Sequence, residues 1–254
     1  MKILDHGELV LLDVMGSDKS IADAARISYS NTKVKSSDND LIRYMWRHGH
    51  HSPFEMAELL FYVKAPIMVF RQWHRHRTGS LSEVSGRYSE LTGDTYTPTT
   101  LRKQSKTNKQ GSSNETIQCE LNTPALAKIE YEMLLKEGVA KEQARLVLPV
   151  ATYSEMYWKC DLRNIFNFLR LRLDPHAQAE IREYAKVMAD MVYEKFPMSF
   201  NAFENYTLNA LTLSREEVGF IIFKEFDPTK WGLGKRETEE TLTKFDRLHL
   251  ICSS

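Results

Sequence analysis

The sequence predicts a mixed α/β fold in a single domain, and three observations lead to this prediction. Residues 8–15 form an apolar run, and residues 59–64 alternate between the two faces of a chain, which are patterns of strands. Several longer segments repeat apolar residues with the period of a helix, most strongly residues 181–192. No internal repeat or convincing linker divides the 254 residues, a length that can bury one large core.

The helices are placed by their start and stop residues. Serine, threonine, aspartate or proline stands at most of the starts, as in N-caps and first turns. In chain order, the predicted helices begin near Ser17, Ser37, Ala65, Thr123, Ala140, Leu162, Asp174 and Ser214. Glycines are expected to end three of them, namely Gly49, Gly79 and Gly138.

The other segments are predicted from composition. Residues 82–89 and 150–158 look extended, whereas the lysine-, serine- and asparagine-rich residues 101–119 are expected to form a long exposed loop. We expect the domain to span residues 1–229. The polar residues 230–254 are expected to extend that domain as a surface helix or a partly disordered tail.

The bulk composition excludes several classes of protein. The chain has 34 basic and 34 acidic residues, so it lacks the broad basic surface that coats nucleic acid or an anionic membrane. No apolar run approaches the roughly 20 residues of a membrane span, and the N-terminus has no signal-peptide core. The three cysteines, Cys119, Cys160 and Cys252, are far apart, which favours a reducing compartment. We therefore expect a cytoplasmic protein that binds neither nucleic acid nor membrane.

Residues 71–88, with the sequence RQWHRHRTGSLSEVSGRY, concentrate positive charge. They include four arginines and two histidines against one acidic residue, Glu83. Guanidiniums bind phosphates through forked hydrogen bonds, and small residues allow the backbone to approach a ligand. The segment therefore predicts a pocket for a phosphorylated anion. The alternatives are a solvated basic face, or a non-catalytic module that binds a nucleotide or nucleic acid through residues 71–87.

A second cationic group contains Arg163, Arg170, Arg172 and His176. Arg172 is unusual because it lies between two leucines near a helix junction, where a freely solvated arginine is less expected. Such an arginine, held against a neutral ring, favours the deprotonated form of that ring. No metal is expected, because the histidines at 48, 50 and 51 lack zinc-ligand spacing. Neither a cysteine in an electropositive motif nor a GxSxG, GxGxxG or Walker motif is present.

Arg75-His76-Arg77, followed after seven residues by Ser85, matches the RHR-x7-S signature of the flavin-dependent thymidylate synthases. Further segments resemble that family in the right order, up to about Phe203. They are HSPFE at 51–55, VKAPI at 63–67, RQW at 71–73, SGRYS at 85–89, NKQGS at 108–112, ARLVLP at 144–149 and NFLRLRLDPHAQAEI at 167–181. The resemblance therefore covers most of the chain.

This resemblance implies a fold with a central, largely antiparallel sheet flanked by helices. It also implies a homotetramer with active sites shared between subunits, FAD at the subunit junctions and dUMP beside the flavin. Family members reduce FAD with NADPH and use methylenetetrahydrofolate as carbon donor to convert dUMP into dTMP. They need no cysteine nucleophile, unlike the classical synthase, and no well-placed cysteine is apparent here.

The resemblance also implies roles for individual residues. Arg172 is the expected catalytic residue, because it promotes ionisation of the uracil ring. The residues implied for FAD are His50, Ser52, Arg75, His76, Arg77, Glu83, Asp161, Leu162, Arg163, Asn167 and His176. The residues implied for dUMP are Gln72, Trp73, His74, Arg75, Glu83, Val84, Ser85, Gly86, Arg87, Arg145 and Arg172. Two departures are Asp161, where many members have asparagine, and Met56, which replaces a commoner histidine.

Overall fold

The structure, a computed structural model, describes residues 1–29, 36–105, 111–118, 121–223 and 226–248. By its internal contacts the chain divides into two compact units, residues 1–208 and 209–254. All the candidate site residues lie in the first unit. The expected division into a domain at 1–229 and an extension from 230 stays a prediction.

The first unit is built on a five-stranded sheet with the order β1-β2-β3-β7-β4, in which all neighbours are antiparallel. A two-stranded sheet pairs β5 with β6. The strands are β1 (Lys2–Ile3), β2 (Gly7–Met15), β3 (Glu58–Pro66), β4 (Ser80–Glu83), β5 (Leu101–Gln104), β6 (Ser112–Ile117) and β7 (Tyr153–Asp161). The antiparallel sheet that the sequence predicted is confirmed.

Helices flank this sheet. They are α1 (Asp18–Arg26), α2 (Asp38–Arg47), α3 (Ile67–Trp73), α4 (Thr123–Lys136), α5 (Lys141–Ala144), α6 (Leu162–Arg172), α7 (Ala179–Lys195) and α8 (Pro197–Phe203), all in the first unit. The second unit contains α9 (Arg215–Phe223) and α10 (Lys235–Arg247). No helix in the described ranges is long and apolar enough to cross a membrane.

Alternation along the two central strands forms the core. On β3, Leu59, Phe61 and Val63 are fully buried, as the sequence predicted. Trp158 of β7 is also buried, and its indole packs against that of Trp73 from α3. This burial anchors the end of α3, which lies inside the basic segment of residues 71–88.

Helix caps follow the sequence closely. Ser17 and Ser37 accept hydrogen bonds from the first turns of α1 and α2, and Gly49 and Gly138 adopt positive φ after α2 and α4. The expected start of a helix at Asp174 is wrong. Its Oδ1 accepts a hydrogen bond from the backbone N–H of His176 and closes a turn, so that α7 begins only at residue 179.

Two further expectations around the basic segment are corrected. Helix α3 ends at residue 73, well before Gly79. Gly79 instead allows the backbone to pass close to the indole of Trp158, because a Cβ there would lie 2.4 Å from Nε1 of that indole. The strand covers residues 80–83 rather than 82–89, because Ser85 O accepts hydrogen bonds from the N–H groups of Tyr88 and Ser89, which form a turn.

Residues 101–119 were expected to be a loop, but they contain the β5–β6 hairpin, while residues 106–110 and 119 lie outside the described residues. Arg102 of the hairpin forms an ion pair with the buried Glu180 of α7 at 2.6 Å. Helix α4 carries an apolar stripe at helical spacing that does not face the core. Leu126, Ile129 and Met133 are 64%, 55% and 59% exposed, because the helix packs through its other face.

The second unit contains a capping box at the helix start that the sequence predicted near Ser214. Ser214 Oγ accepts a hydrogen bond from the N–H of Glu217, and Oε2 of Glu217 accepts one from the N–H of Ser214. Phe220 of α9 stacks on Phe245 of α10, with ring centroids 4.3 Å apart. The polar residues after 230 therefore include a helix with one buried face.

Candidate active site

Arg172, at the end of α6, reaches the end of α3. Its Nη2 donates a hydrogen bond to the carbonyl oxygen of Gln72 at 2.9 Å, and its Nε donates one to Nε2 of His76 at 3.0 Å. The carbonyl groups in the last turn of a helix have no partner within the helix, so they suit a guanidinium. Two separate predicted sites, the basic segment and the second cationic group, thus meet at Arg172.

The imidazole of His76 is neutral in this arrangement. Burial, and secondly the charge of Arg172, lower the pKa of His76 to about 4. Its Nε2 can therefore accept the hydrogen bond from Arg172, while its ring packs edge-on against Phe168 with centroids 4.8 Å apart. Burial also lowers the pKa of Arg172 from its usual high value. The guanidinium is thus held in a partly desolvated position, where its charge acts more strongly on a neighbouring ring.

Glu83 is the last residue of β4, and it follows His76 shortly afterwards in the sequence. Its Oε1 accepts a hydrogen bond from Oγ of Ser154 on β7 at 2.8 Å. Its Oε2 lies 3.7 Å from Nε2 of His74, which follows α3 and stacks on Phe70. Within the described part of the chain, this buried His74 nitrogen has no hydrogen-bond partner.

The turn after β4 brings another set of predicted residues together. The backbone N–H of Arg87 faces Oγ of Ser85 at 3.4 Å. Gly86 lies against the side chain of Arg145, because a Cβ at Gly86 would be 3.2 Å from Cδ of Arg145. Two guanidiniums beside a turn of small residues can together bind a phosphate.

Arg75 and Arg77 lie in the segment between α3 and β4. Both side chains are exposed, and among the described residues neither guanidinium has a side-chain partner. Unpaired arginines on a short segment are suited to a pyrophosphate group. These residues are therefore free to hold an anionic ligand.

The remaining residues that the sequence assigned to FAD lie elsewhere on the same chain. Asp161 caps α6, with Oδ1 accepting from the N–H of Asn164 and Oδ2 from its Nδ2. Arg163 and Asn167 follow on α6, and His50 and Ser52 lie before β3. With 1.5 Å of rise per residue, the start of α6 is about 15 Å from Arg172. The residues assigned to FAD are therefore spread along the length of α6.

Other assigned residues are placed as follows. The indole of Trp73 is completely buried, whereas Val84 and His176 are exposed. Leu162 is buried at the start of α6, and its N–H donates to the carbonyl oxygen of Ala57 at 2.9 Å. The side chains of Trp73 and Leu162 therefore belong to the core, so their roles toward a ligand stay predictions.

Two residues of the site were not predicted from the sequence. Ser154 contacts Glu83, and Gln178 accepts a short hydrogen bond from Nε2 of Gln72. Gln178 lies inside a segment that resembled the family, which is a signal that could have identified it. Ser154 has no such signal, because only the pairing of β4 with β7 brings it to Glu83.

Cys160 is the cysteine that lies nearest to the cationic residues in sequence. It is buried, and burial raises the pKa of its thiol to about 12. A thiol with such a pKa is protonated at neutral pH and is a poor nucleophile. Cys119 and Cys252 lie outside the described residues.

Comparison with known proteins gives consistent results. The family model described as thymidylate synthase complementing protein matches residues 10–198. A flavin-dependent thymidylate synthase of Thermus thermophilus is 46% identical over 95% of this chain and 94% of its own length. One of Wolbachia pipientis is 44% identical over 97% and 92%. The crystal structure of the UMP/dUMP methylase PolB from Streptomyces cacaoi, bound with 5-Br UMP, matches with a TM-score of 0.70 at 33% identity, covering 82% of this chain and 98% of PolB.

Proposed function

The chain belongs to the family of flavin-dependent thymidylate synthases and is an enzyme of methyl transfer, and we propose that it converts dUMP into dTMP. Relatives that carry this name are similar over almost their whole length. PolB, which is similar in fold, was crystallised with 5-Br UMP and with 5-Br dUMP. These relationships favour dUMP as the substrate over a nucleic acid, and an enzyme over the alternative of a non-catalytic binding module.

The proposal assigns the phosphate of dUMP to the turn after β4. Arg87 and Arg145 supply guanidiniums there, and Ser85 with Gly86 supplies a turn that a phosphate can approach. Gln72 and Glu83 are assigned to the rest of the nucleotide. Ser85 is a binding residue in this proposal, because no histidine or carboxylate is bonded to its hydroxyl among the described residues.

The observation that carries the proposal is the placement of the Arg172 guanidinium. It is half-buried, and His76 with the carbonyl of Gln72 fixes its orientation. A fixed positive charge beside a uracil ring stabilises the deprotonated ring, which makes the ring carbon that accepts the methyl group more nucleophilic. A protein that only binds phosphate has no use for such an arginine. Activation of the uracil ring by this charge also requires no cysteine nucleophile.

The proposal includes FAD, NADPH and methylenetetrahydrofolate. Arg75 and Arg77 fit a flavin dinucleotide, because their exposed guanidiniums are free to bind its pyrophosphate. A bound flavin supplies the two electrons that turn a transferred methylene carbon into a methyl group, with NADPH as the source. His50, Ser52, Arg163 and Asn167 are the other proposed flavin contacts.

We also propose a cytoplasmic homotetramer in which neighbouring subunits complete each site. The residues assigned to FAD form two groups, one near residues 75–83 and one near the start of α6, and the exposed Leu146 and Val150 supply apolar contact surface. Mixing a variant from each group, such as Arg77→Ala and Asn167→Ala, should restore activity above either alone after subunit exchange. Static light scattering should give four subunits, and a monomer would contradict this part.

The experiment that tests the reaction is a direct assay. Purified protein is incubated with FAD, NADPH, methylenetetrahydrofolate and dUMP, and dTMP is quantified by chromatography, with UMP replacing dUMP in parallel. We expect dTMP to form only when all four are present. A colourless protein that binds no FAD in the presence of dUMP, and makes no dTMP, would overturn the proposal.

A further inference from the structure

Ser154 lies against the carboxylate of Glu83, although no sequence pattern marks it. Its side chain is only 4% exposed, and its Oγ donates to Oε1 of Glu83 at 2.8 Å. We propose that Ser154 is a positioning residue, which fixes the carboxylate of Glu83 toward the ligands before they bind. This inference rests on the proposed function, because Glu83 is expected at the border between dUMP and the flavin.

The sheet explains why the two side chains meet. Glu83 of β4 is directly opposite Met156 of β7, and Ser154 lies two residues from Met156 on the same strand. Side chains two residues apart share one face of a sheet, so Ser154 is the diagonal neighbour of Glu83. A backbone hydrogen bond from Val84 N to Glu155 O at 2.9 Å extends the pairing beyond β4. The positions of both side chains are therefore set by backbone hydrogen bonds.

The second carboxylate oxygen has a different neighbour. Oε2 of Glu83 lies 3.7 Å from Nε2 of His74, which is too far for a hydrogen bond. That nitrogen is buried and lacks a partner among the described residues, an arrangement that lowers stability unless a ligand supplies the partner. Stacking on Phe70 holds the His74 ring in place. Oε2 of Glu83 and Nε2 of His74 thus form a polar edge, and neither atom has a hydrogen bond to a described residue.

This edge has a defined chemical preference. A carboxylate accepts hydrogen bonds, so a ligand that contacts Oε2 must offer an N–H or O–H group. The imide N–H of a uracil or flavin ring is such a donor. Because Ser154 already holds Oε1, Glu83 loses little side-chain freedom when the ligand binds, and pre-organisation of this kind increases affinity.

Replacing the hydroxyl tests this role. In Ser154→Ala, the hydrogen bond to the carboxylate is lost, and we expect the affinity for dUMP in the presence of FAD to fall about tenfold. Ser154→Thr retains a hydroxyl and should restore most of the affinity. Thr152→Val is the matched control, because Thr152 is also buried next to β7 but its hydroxyl has no partner within the described ranges. It should leave dUMP affinity and turnover unchanged.

A double-mutant cycle separates positioning from simple structural support. With dUMP affinity measured by calorimetry, Ser154→Ala should cause no further loss in a Glu83→Ala background, because its effect passes through that carboxylate. An equal loss in both backgrounds, no loss in the wild-type background, or the same loss in Thr152→Val would overturn the inference. A wild-type protein that binds dUMP but forms no dTMP would contradict only the proposed reaction, since the cycle is read from binding. Absence of dUMP binding would contradict both.

Discussion

The Nε of Arg172 donates a hydrogen bond to Nε2 of His76 at 3.0 Å, although 96 positions separate the two residues in the chain. The bond links a residue assigned to the uracil ring with a residue of the flavin signature. It requires a neutral imidazole, and burial with the charge of Arg172 supplies one by lowering the pKa of His76 to about 4. The two ligand sites of the proposed enzyme are therefore joined through one side-chain pair.

Arg172→Ala should separate the two halves of the reaction. Loss of the guanidinium removes the charge that stabilises the ionised uracil ring, so we expect dTMP formation to fall at least about a hundredfold. NADPH oxidation by the flavin should persist within a few-fold, since the variant retains the guanidiniums of Arg75 and Arg77 that are proposed to hold the flavin pyrophosphate. Steady-state assays of both activities measure the difference, and Lys195→Ala at the end of α7 serves as a control for removing a cation. Equal loss of both activities would contradict a role in activating dUMP.

His76 variants should distinguish hydrogen bonding from packing. His76→Gln retains an acceptor for the Nε–H of Arg172, whereas His76→Phe keeps a ring against Phe168 but leaves that donor unpaired. We therefore expect dTMP formation to fall further in the phenylalanine variant than in the glutamine variant. The kcat for dTMP measures the effect. The reverse order would show that dTMP formation depends on ring packing rather than on the hydrogen bond.

Stability should depend on pH through the same histidine. Unfolded His76 takes up a proton near its ordinary pKa of 6.5, while folded His76 stays neutral down to about 4. The unfolded state therefore binds more protons in this window, and the free energy of unfolding should decrease as the pH falls from 6.5 towards 4. Urea denaturation of the wild type and of His76→Gln across the window tests this, because the variant should lose part of the pH dependence. An identical slope in both proteins would exclude His76 as its source.

Gly86→Ala should weaken dUMP binding through Arg145. The added Cβ would lie 3.2 Å from Cδ of Arg145, a contact that the flexible arginine can relieve only by moving. We expect the KM for dUMP to rise several-fold with little change in the melting temperature. Gly219→Ala in α9 is the matched control, because nothing lies within 4 Å of a Cβ there. An unchanged KM for dUMP in Gly86→Ala would contradict the assignment of Arg145 to the proposed phosphate site.

Asp161 should contribute to the stability of the fold as well as to the binding of any ligand. Both of its carboxylate oxygens accept hydrogen bonds from Asn164, one of which caps α6. Asp161→Ala should therefore lower the free energy of unfolding by about 1 kcal/mol. Asp161→Asn keeps the capping oxygen, so its free energy of unfolding should fall less than that of Asp161→Ala. Asparagine is also the residue that many family members have here. Urea denaturation gives the stabilities, and a larger loss in the asparagine variant would contradict the capping role.

The sequence alone determined the local features of the fold. Alternation on β3 placed Leu59, Phe61 and Val63 in the core, and Ser37 and Gly49 marked both ends of α2. These features depend on the period of a strand or helix and on backbone groups within a few residues, so a short stretch of chain specifies them. The RHR-x7-S spacing likewise identified the family, because it is a pattern of residues along the chain.

Only the tertiary structure decided which faces meet. The apolar stripe of α4 is real, but Leu126 and Met133 are exposed, because periodicity shows which residues share a face and not what covers that face. The contact between Ser154 and Glu83 depends on the pairing of β4 with β7, and the contact between Arg172 and His76 on the packing of α6 near α3. Contacts between residues far apart in the chain are set by the free energy of the whole core, so no local pattern in the sequence specified them.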